Sequence, residues 1–391
     1  MKRKIFNALI SVSDKSELKP LIETLKKFNI NIISSGGTYK YIKNLGFDCK
    51  EISKFTKFNE MLDGRVKTLH PKIHSGILFD RSKKEHLSQM KKNKFDPIDL
   101  LIINFYPFEK ILKETRISKK IIENIDIGGP SMVRAAAKNF NDVAIITAKK
   151  DYPELIRELE KNKGKTKLIF RKQMARKAFN NTSYYDTVIS EWFNQSLAIK
   201  FPDRKTFFGK KLSMLRYGEN PHQESSIYTS DLKNNNLNLK KISGKDLSYN
   251  NYNDIYATLD ILRSEKKIPT TVITKHANPC GVSSNKSPLE SFKNSQASDP
   301  ISSFGGVVAC NFKINLKLAL EIQKTFFEVL MANGFDKNAL ILLKKKKNMR
   351  IIDISNIAED NRIKIKSFGN TFILQDRDSI IFDKEKLKFV T

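Results

Sequence analysis

The sequence predicts two successive α/β domains, and three observations lead to this expectation. A chain of 391 residues is longer than a single hydrophobic core usually organises. In its first part, short β-branched runs alternate with amphipathic stretches, which is typical of a parallel sheet with helices on both faces. A second α/β region follows a long helical stretch. We therefore expect one domain over residues 1–198 and a second over residues 205–391.

The first domain is expected to contain βαβ units. The predicted strands are 6–12, 31–34, 99–104 and 142–147, and the predicted helices include 16–28, 151–161 and 167–195. Ligands should gather at the carboxyl ends of such strands. In the second domain, strands are predicted at 270–274, 305–310, 349–354 and 371–374, and helices at 287–294 and 316–331.

Composition limits the class of protein. No apolar run reaches the length of a membrane span, and polar residues follow the first few residues too soon for a signal peptide. Cys49, Cys280 and Cys310 are widely spaced, which argues against a disulfide framework and a structural zinc site. We expect a cytoplasmic protein without a membrane partner.

The formal net charge of +29 suggests nucleic-acid binding as an alternative function. The lysines are spread along the whole chain, however, together with abundant asparagine and isoleucine, which indicates a general codon bias. The lysine run 344–347 is typical of a solvated surface. Anionic small substrates are the favoured partners, and no nucleic-acid partner is expected.

Two hydroxyl-rich turns follow the first two predicted strands. Residues 11–15 are SVSDK, and residues 35–38 are SGGT. Helix N-termini at such turns can hold a phosphate through backbone N–H groups and the helix dipole. Ordinary helix capping is the alternative, with Asp14 and Glu17 spaced as a possible capping box.

Three further segments concentrate recognition chemistry. Residues 63–74 (DGRVKTLHPKIH) contain one arginine, two lysines and two histidines, and residues 104–108 (NFYPF) follow a strand end. A buried tyrosine with a satisfied hydroxyl is the alternative for the latter segment. Residues 125–131 (IDIGGPS) form a glycine turn before an Ala-rich helix, on which Arg134 and Lys138 lie one turn apart.

Together these motifs, in this order between residues 11 and 139, resemble the inosine-monophosphate (IMP) cyclohydrolase domain of the bifunctional purine-biosynthesis enzymes. That domain has a methylglyoxal-synthase-like fold. The resemblance implies that the carboxamide nitrogen of the formamido-carboxamide ribonucleotide (FAICAR) attacks the formyl carbon, and that loss of water closes the purine ring. Methylglyoxal synthase chemistry is disfavoured, because RVKTLHP and DIGGPSMVRAAAK belong to the nucleotide-cyclising branch.

The resemblance also implies residue roles. Lys138 is expected to be the proton donor and acceptor, and Lys67 to stabilise the oxyanion that develops on the formyl oxygen. Asp126 and Tyr106 are expected to position the substrate and transfer protons. The nucleotide is expected to contact Ser13, Lys15, Ser35, Gly36, Gly37, Thr38, Arg65, Thr68, Asn104, Ile127 and Gly128.

The second region carries five further motifs: RYGENPHQ (216–223), GKDLSYNN (244–251), KHANPCG (275–281), DPISSFGG (299–306) and KKNMR (346–350). A zinc deaminase signature is the runner-up for the third of these. That signature requires a glutamate and a second cysteine where this chain has Asn278 and Ser283. The five motifs resemble the transformylase domain of the same family, which is built from two cytidine-deaminase-like halves without zinc.

This second resemblance implies formyl transfer from the co-substrate 10-formyltetrahydrofolate to the 5-amino group of the carboxamide ribonucleotide (AICAR), without a metal. His276 is expected to accept the amine proton, with Lys275 in support. The remaining substrate contacts are expected at Arg216, Tyr217, Gly305 and Glu328.

The resemblance runs to Thr391 and stops at the start of the second deaminase-like half. We therefore expect a complete cyclohydrolase site and an incomplete transformylase site, in a homodimer. A monofunctional IMP cyclohydrolase and a basic RNA-binding protein are the alternatives. The latter would need aromatic residues interleaved with basic ones, and we find no such pattern.

Overall fold

The computed structural model describes residues 2–62, 66–230, 232, 239–357 and 363–378. The chain divides into two compact units, Met1–Phe208 and Gly209–Thr391, and each is considered by itself. Within the described ranges, no helix is both long enough and apolar enough to cross a membrane.

A parallel sheet of five strands, as far as the chain is described, forms the centre of the first unit. Its order is β4-β3-β2-β5-β6, and every neighbouring pair is parallel. Leu9 and Ile10 point to opposite faces and are both fully buried, so helices cover both faces, as predicted. The strands are β2 (Asn7–Val12), β3 (Asn31–Ser34), β4 (Lys50–Glu51), β5 (Leu100–Asn104) and β6 (Ala144–Ile146), beside a separate antiparallel ribbon of β1 (Lys2–Lys4) and β7 (Lys165–Lys167).

Three helices of this unit were predicted with ranges, 16–28, 151–161 and 167–195, and the corresponding helices begin and end within two residues of those positions. The described residues of the unit form ten α-helices. They are α1 (Leu18–Lys27), α2 (Gly36–Asn44), α3 (Ile52–Thr56), α4 (Pro71–Leu78), α5 (Lys84–Lys92), α6 (Phe108–Glu114), α7 (Ser118–Glu123), α8 (Gly128–Lys138), α9 (Tyr152–Lys161) and α10 (Leu168–Ser196). The capping box considered as an alternative at Asp14 and Glu17 is not formed. Glu17 has a φ of 61° and makes no side-chain cap on α1, and Asp14 accepts the N–H of Ser16 at 2.9 Å.

A buried ion pair holds the amino ends of two central strands. Asp99 precedes β5 and accepts the N–H groups of Phe6 and Asn7, at 2.7 and 2.8 Å. Its other oxygen lies 2.6 Å from a guanidinium nitrogen of Arg81. The pair thereby fixes the start of β2 against the start of β5, at the edge of the sheet opposite to the strand ends where ligands are expected.

The second unit is built on a mixed sheet of six described strands, in the order β10-β15-β14-β13-β11-β12. The three strands β13, β14 and β15 are parallel, and the other neighbouring pairs are antiparallel. The strands of the unit are β8 (Lys210–Met214), β9 (Ser226–Thr229), β10 (Lys240–Ser243), β11 (Thr270–Lys275), β12 (Asn278–Ser284), β13 (Val307–Cys310), β14 (Val329–Ala332), β15 (Arg350–Asp353), β16 (Lys364–Phe368) and β17 (Thr371–Gln375), and the helices are α11 (Tyr249–Leu262), α12 (Pro288–Ser298), α13 (Pro300–Ser303), α14 (Leu316–Ile322) and α15 (Lys337–Leu343).

The helix predicted over 316–331 is wrong in its second half. The helix α14 ends at Ile322, and Val329–Ala332 is a strand between β13 and β15. All four residues of this strand are buried. A short, continuous apolar run carries no periodicity that separates a buried strand from a buried helix, so the sequence alone could not distinguish them.

Candidate active site

In the first unit, the predicted polar residues meet where the parallel strands end. Val12 at the end of β2 pairs with Asn104 at the end of β5. The Asn104 side-chain oxygen accepts the N–H of Ser13 at 2.7 Å and that of Asp14 at 3.2 Å. The Ser13 hydroxyl lies 2.9 Å from the same oxygen. Asn104 therefore holds the turn 11–15 in place at the sheet edge.

Two lysine ammonium groups converge on the start of α2. Gly36, with a φ of 50°, would place a Cβ 3.7 Å from Lys67 Nζ, and a Cβ on Gly37 would lie 3.7 Å from Lys15 Nζ. The N-terminal N–H groups and the positive end of the α2 dipole lie at the same place. This arrangement of two cations on a helix N-terminus can hold an anion such as a phosphate.

The neighbouring hydroxyl residues organise the turn. The Thr38 hydroxyl accepts the N–H of Val12 at 3.1 Å and donates to its carbonyl at 3.0 Å, so this side chain is already engaged by β2. Ser35 is buried and makes no side-chain cap on α2. The alternative that Ser35 serves as an ordinary side-chain cap of α2 is therefore excluded.

Asp126 lies close to both Lys67 and Tyr106. Burial raises the pKa of its carboxyl, against the opposing effects of the Gly129 and Tyr106 backbone N–H groups and the charge of Lys67. The Gly129 N–H donates to Asp126 Oδ1 at 2.8 Å. A carboxyl whose pKa is raised binds a proton more tightly than an exposed aspartate does, so Asp126 can act in proton transfer.

Thr68 packs directly on the start of α8. A Cβ on Gly128 would collide with the Thr68 hydroxyl oxygen, so glycine is required for this close approach. Ile127 is exposed beside it, with 62% of its surface accessible. Arg65 was predicted to contact the nucleotide and lies outside the described residues. His70, from the same segment, caps α4 by accepting the N–H of Lys72 at 3.1 Å.

Lys138 does not join this cluster within the chain. It ends α8, an 11-residue helix whose first turn lies beside Asp126 and Thr68, so about 15 Å of helix separates the two places. Lys138 instead lines a cavity of about 700 Å³ between α4, α8 and α10, together with His74, Arg134, Lys172 and Arg176. Burial lowers the pKa of His74. The sequence analysis predicted that Lys138 and Lys67 act in the same site. Within a single copy of the chain, the structure does not bring these two lysines together.

In the second unit, His276 and Ala277 form the tip of a tight hairpin. Lys275 at the end of β11 pairs with Asn278 at the start of β12, and the two residues between them have φ values of 53° and 59°. Side chains other than glycine cost about 1–3 kcal/mol in such conformations. The Ala277 N–H donates to Asp254 Oδ1 at 2.7 Å. His276 is exposed, so its imidazole is open to solvent.

Glu328 lies at the same edge of this sheet, just before β14. It accepts a hydrogen bond from Asn251 Nδ2 at 2.8 Å and lies 3.5 Å from a guanidinium nitrogen of Arg350. Gly305, at a φ of 75°, precedes β13 with open space where a Cβ would be. Lys275 Nζ donates to the Phe304 carbonyl at 2.9 Å. The structure therefore brings Lys275, His276, Gly305 and Glu328 to one edge.

Arg216 and Tyr217 lie in the loop between β8 and β9. The Arg216 guanidinium is exposed and lies 5.8 Å from the centre of the Tyr217 ring. Asn250 Nδ2, near the start of α11, donates to the Glu219 carbonyl at 3.3 Å. The loop is thus tied to the helix that carries Asn251 and Asp254.

Sequence reasoning missed three residues that shape these clusters. Asn251 and Asp254 hold Glu328 and the hairpin from α11, and the Tyr185 hydroxyl accepts the Asp126 N–H at 2.8 Å from α10. Asn251 stands at the end of the motif GKDLSYNN, which was a signal for it. Asp254 and Tyr185 lie in helical stretches without a motif, and only the tertiary fold identifies them.

Comparison with known proteins gives two families. The family described as AICARFT/IMPCHase bienzyme matches residues 136–391, and the MGS-like domain matches residues 17–131. A bifunctional purine biosynthesis protein PurH from Bradyrhizobium diazoefficiens is 40% identical over all of this chain and 74% of its own length. PurH from Thermoanaerobacter sp. is 42% identical over 98% of this chain and 75% of its own length. The crystal structure of ForH overlaps 48% of this chain with a TM-score of 0.44 and 30% identity.

Proposed function

Because the chain belongs to the AICARFT/IMPCHase bienzyme family, we infer that it catalyses the final two steps of purine biosynthesis. These are formyl transfer to AICAR, which gives FAICAR, and closure of FAICAR to IMP with loss of water. The two clusters of polar residues correspond to the two reactions. We propose ring closure at the cluster of the first unit and formyl transfer at the cluster of the second.

In the first cluster, the α2 N-terminus and Lys15 would hold the phosphate. The glycines at the start of α2 leave room for an anion close to the backbone, and the cation adds charge complementarity. Ser13 and Asn104 would stabilise the turn that presents this site, because the asparagine already bonds the backbone of that turn. The heterocycle would then extend toward Lys67 and Asp126.

Ring closure forms a bond between the carboxamide nitrogen and the formyl carbon. The formyl oxygen gains negative charge in that step, and the Lys67 ammonium would stabilise it. Asp126 would take the proton that leaves the nitrogen, since its buried carboxyl has a raised pKa. The proton is then delivered to the oxygen, which becomes a hydroxyl. The hydroxyl departs as water with a second proton, which the formamido nitrogen loses as the C=N bond of the new ring forms, and Tyr106 would help to position the reacting groups.

In the second cluster, His276 would accept the proton that the AICAR amine loses as its nitrogen attacks the formyl carbon of 10-formyltetrahydrofolate. The bond from that carbon to the folate nitrogen breaks, and the folate nitrogen gains a proton. Lys275 would support the charge near His276, and Glu328, Gly305, Arg216 and Tyr217 would contact the nucleotide. We propose no metal in either step.

The observation that carries the proposal for ring closure is the convergence of Lys67 and Asp126 next to the anion cradle of α2. The test supplies FAICAR to the purified chain and follows the ultraviolet absorbance of the hypoxanthine ring. A second reaction, which tests formyl transfer, supplies the chain with AICAR and 10-formyltetrahydrofolate. Turnover of FAICAR is expected, and its absence at high enzyme concentration would refute the cyclohydrolase assignment.

We also propose that the protein acts in the cytoplasm as a homodimer. The separate cavity of Lys138 supports a dimer, because this lysine can assist ring closure only if it reaches the cluster of another copy. Sedimentation of the purified chain tests the oligomeric state directly.

A further inference from the structure

The hairpin that presents His276 has a backbone for which its own residues are poorly suited. Two-residue hairpins with positive φ at both central positions favour Asn-Gly or Gly-Gly. This chain has His276 and Ala277 there, with φ values of 53° and 59°. A contact from outside the hairpin must therefore hold the turn in this conformation.

Asp254 supplies that contact. Its Oδ1 accepts the Ala277 N–H at 2.7 Å, and the backbone N–H of His276 also acts on this carboxyl. The bonded amides belong to the two residues with positive φ. An acceptor on these amides stabilises the turn over the extended alternatives, in which the N–H groups point elsewhere.

Asp254 is itself held rigidly against the strand that leads into the turn. The hydroxyl of Thr258, one helical turn after Asp254, contacts the hydroxyl of Thr274 on β11, and both threonines are fully buried. The Thr258 hydroxyl also lies 2.6 Å from the Asp254 carbonyl oxygen. At the other end, Asn251 is bonded to Glu328. Side chains of α11 thus contact the His276–Ala277 turn, the strand β11 and the Glu328 carboxylate.

We propose that Asp254 is a positioning residue for formyl transfer: its carboxylate fixes the His276–Ala277 turn and so directs the His276 imidazole toward the substrate amine. The proposal rests on the proposed function of the second cluster. Asp254 does not touch the reacting atoms. It acts through His276, and its loss leaves the imidazole present but misdirected.

The first test compares Asp254→Ala, Asp254→Asn and the double variant Asp254→Ala/Ala277→Gly in the full chain. Misplacement by about 1 Å can cost a hundredfold, so Asp254→Ala should lower kcat for formyl transfer roughly tenfold to a hundredfold with little change in KM for AICAR. Asp254→Asn retains an acceptor oxygen and should recover most of the loss. Ala277→Gly should also restore activity in the Asp254→Ala background, because glycine adopts positive φ without the carboxylate.

Asn253→Ala is the matched control, because Asn253 is exposed on the same helix. It should leave kcat unchanged. If Asp254→Ala lowers the melting temperature but the folded fraction keeps the kcat of wild type, the residue only stabilises the fold and the proposal is overturned. Failure of glycine to restore kcat would also overturn it.

A second readout does not depend on activity. Hydrogen exchange at the Ala277 amide and the ¹⁵N imidazole signals of His276, assigned with His276→Gln, report the turn directly. Asp254→Ala should speed that exchange and shift those signals, whereas Asn253→Ala should change neither. If wild type transfers no formyl group, the proposed function fails while this measurement still decides the positioning role. Unchanged exchange and signals in Asp254→Ala would overturn that role.

Discussion

Lys67 is the side chain on which the proposed ring closure depends most directly. Its ammonium lies over Gly36 and acts on the Asp126 carboxyl. Loss of an oxyanion partner costs roughly a hundredfold or more, so Lys67→Ala should lower kcat for FAICAR closure by that factor. Lys40→Ala, at an exposed position on α2, is the control and should retain the wild-type rate. Near-normal turnover in Lys67→Ala would remove this lysine from the mechanism.

The raised pKa of Asp126 predicts how the free energy of unfolding depends on pH. Its folded pKa lies above the ordinary value of 3.8 because of burial. The folded state therefore binds the proton more tightly than the unfolded state, and the contribution of this group to stability falls as pH rises from 3.8 through the folded pKa. Asp126→Asn carries no charge and should become progressively more stable than wild type over that rise, while it loses cyclohydrolase turnover.

Urea unfolding of both proteins between about pH 4 and about pH 8 measures this difference. Asp48→Asn is the control, because the Asp48 side chain is 91% exposed. A difference in unfolding free energy between Asp126→Asn and wild type that stays constant over the whole range would contradict the prediction.

The ion pair of Arg81 and Asp99 should contribute to the stability of the protein without contributing to ring closure. Breaking a buried pair at one partner costs about 3–5 kcal/mol, and Asp99 has no exposed side-chain surface. Arg81→Met should therefore lower the free energy of unfolding by about that amount. The pair lies at the amino ends of β2 and β5, so ring closure by the folded protein should be preserved. Arg157→Met, at an exposed position on α9, should change neither quantity.

The central strands other than β14 and the helices α1, α9, α10 and α12 were predictable, because buried parallel strands are continuous apolar runs and the helices beside them are amphipathic. The convergence of Ser13, Gly36 and Asn104 was also predictable in outline, since parallel strands end at one edge. The strand β14 was not, because its apolar run of four residues is equally compatible with the helix that precedes it. Asp254 escaped prediction for another reason: its partner lies 23 residues away along the chain, and pairing across that distance is set by the tertiary fold.

The net charge of +29 is partly accounted for by two groups of lysine and arginine side chains in the first unit. Lys15 and Lys67 converge on α2, while Arg134, Lys172 and Arg176 line the cavity that also contains Lys138. Among the described residues, no carboxylate pairs with Lys138, Lys172 or Arg176. Unpaired cations of this kind attract small anions, which agrees with phosphorylated substrates.

The position of Lys138 leads to a prediction about assembly. In one copy, about 15 Å of helix lies between Lys138 and the cluster of Lys67 and Asp126, which exceeds the reach of a lysine side chain. If Lys138 serves ring closure, it must do so in the cluster of a second copy. A symmetric dimer would then contain two sites, each with Lys67 from one copy and Lys138 from the other.

Mixing two inactive variants tests this arrangement. In a dimer of Lys67→Ala with Lys138→Ala, one site has both native lysines and the other has neither, so random mixing should restore about a quarter of the wild-type cyclohydrolase activity. A mixture of Lys67→Ala with Asp126→Ala is the control. These two residues share one cluster, so every site in that mixed dimer lacks one of them and no activity should return. If the first mixture stays as inactive as its parents while mixed dimers form, Lys138 does not act across copies, and its place in the mechanism is lost.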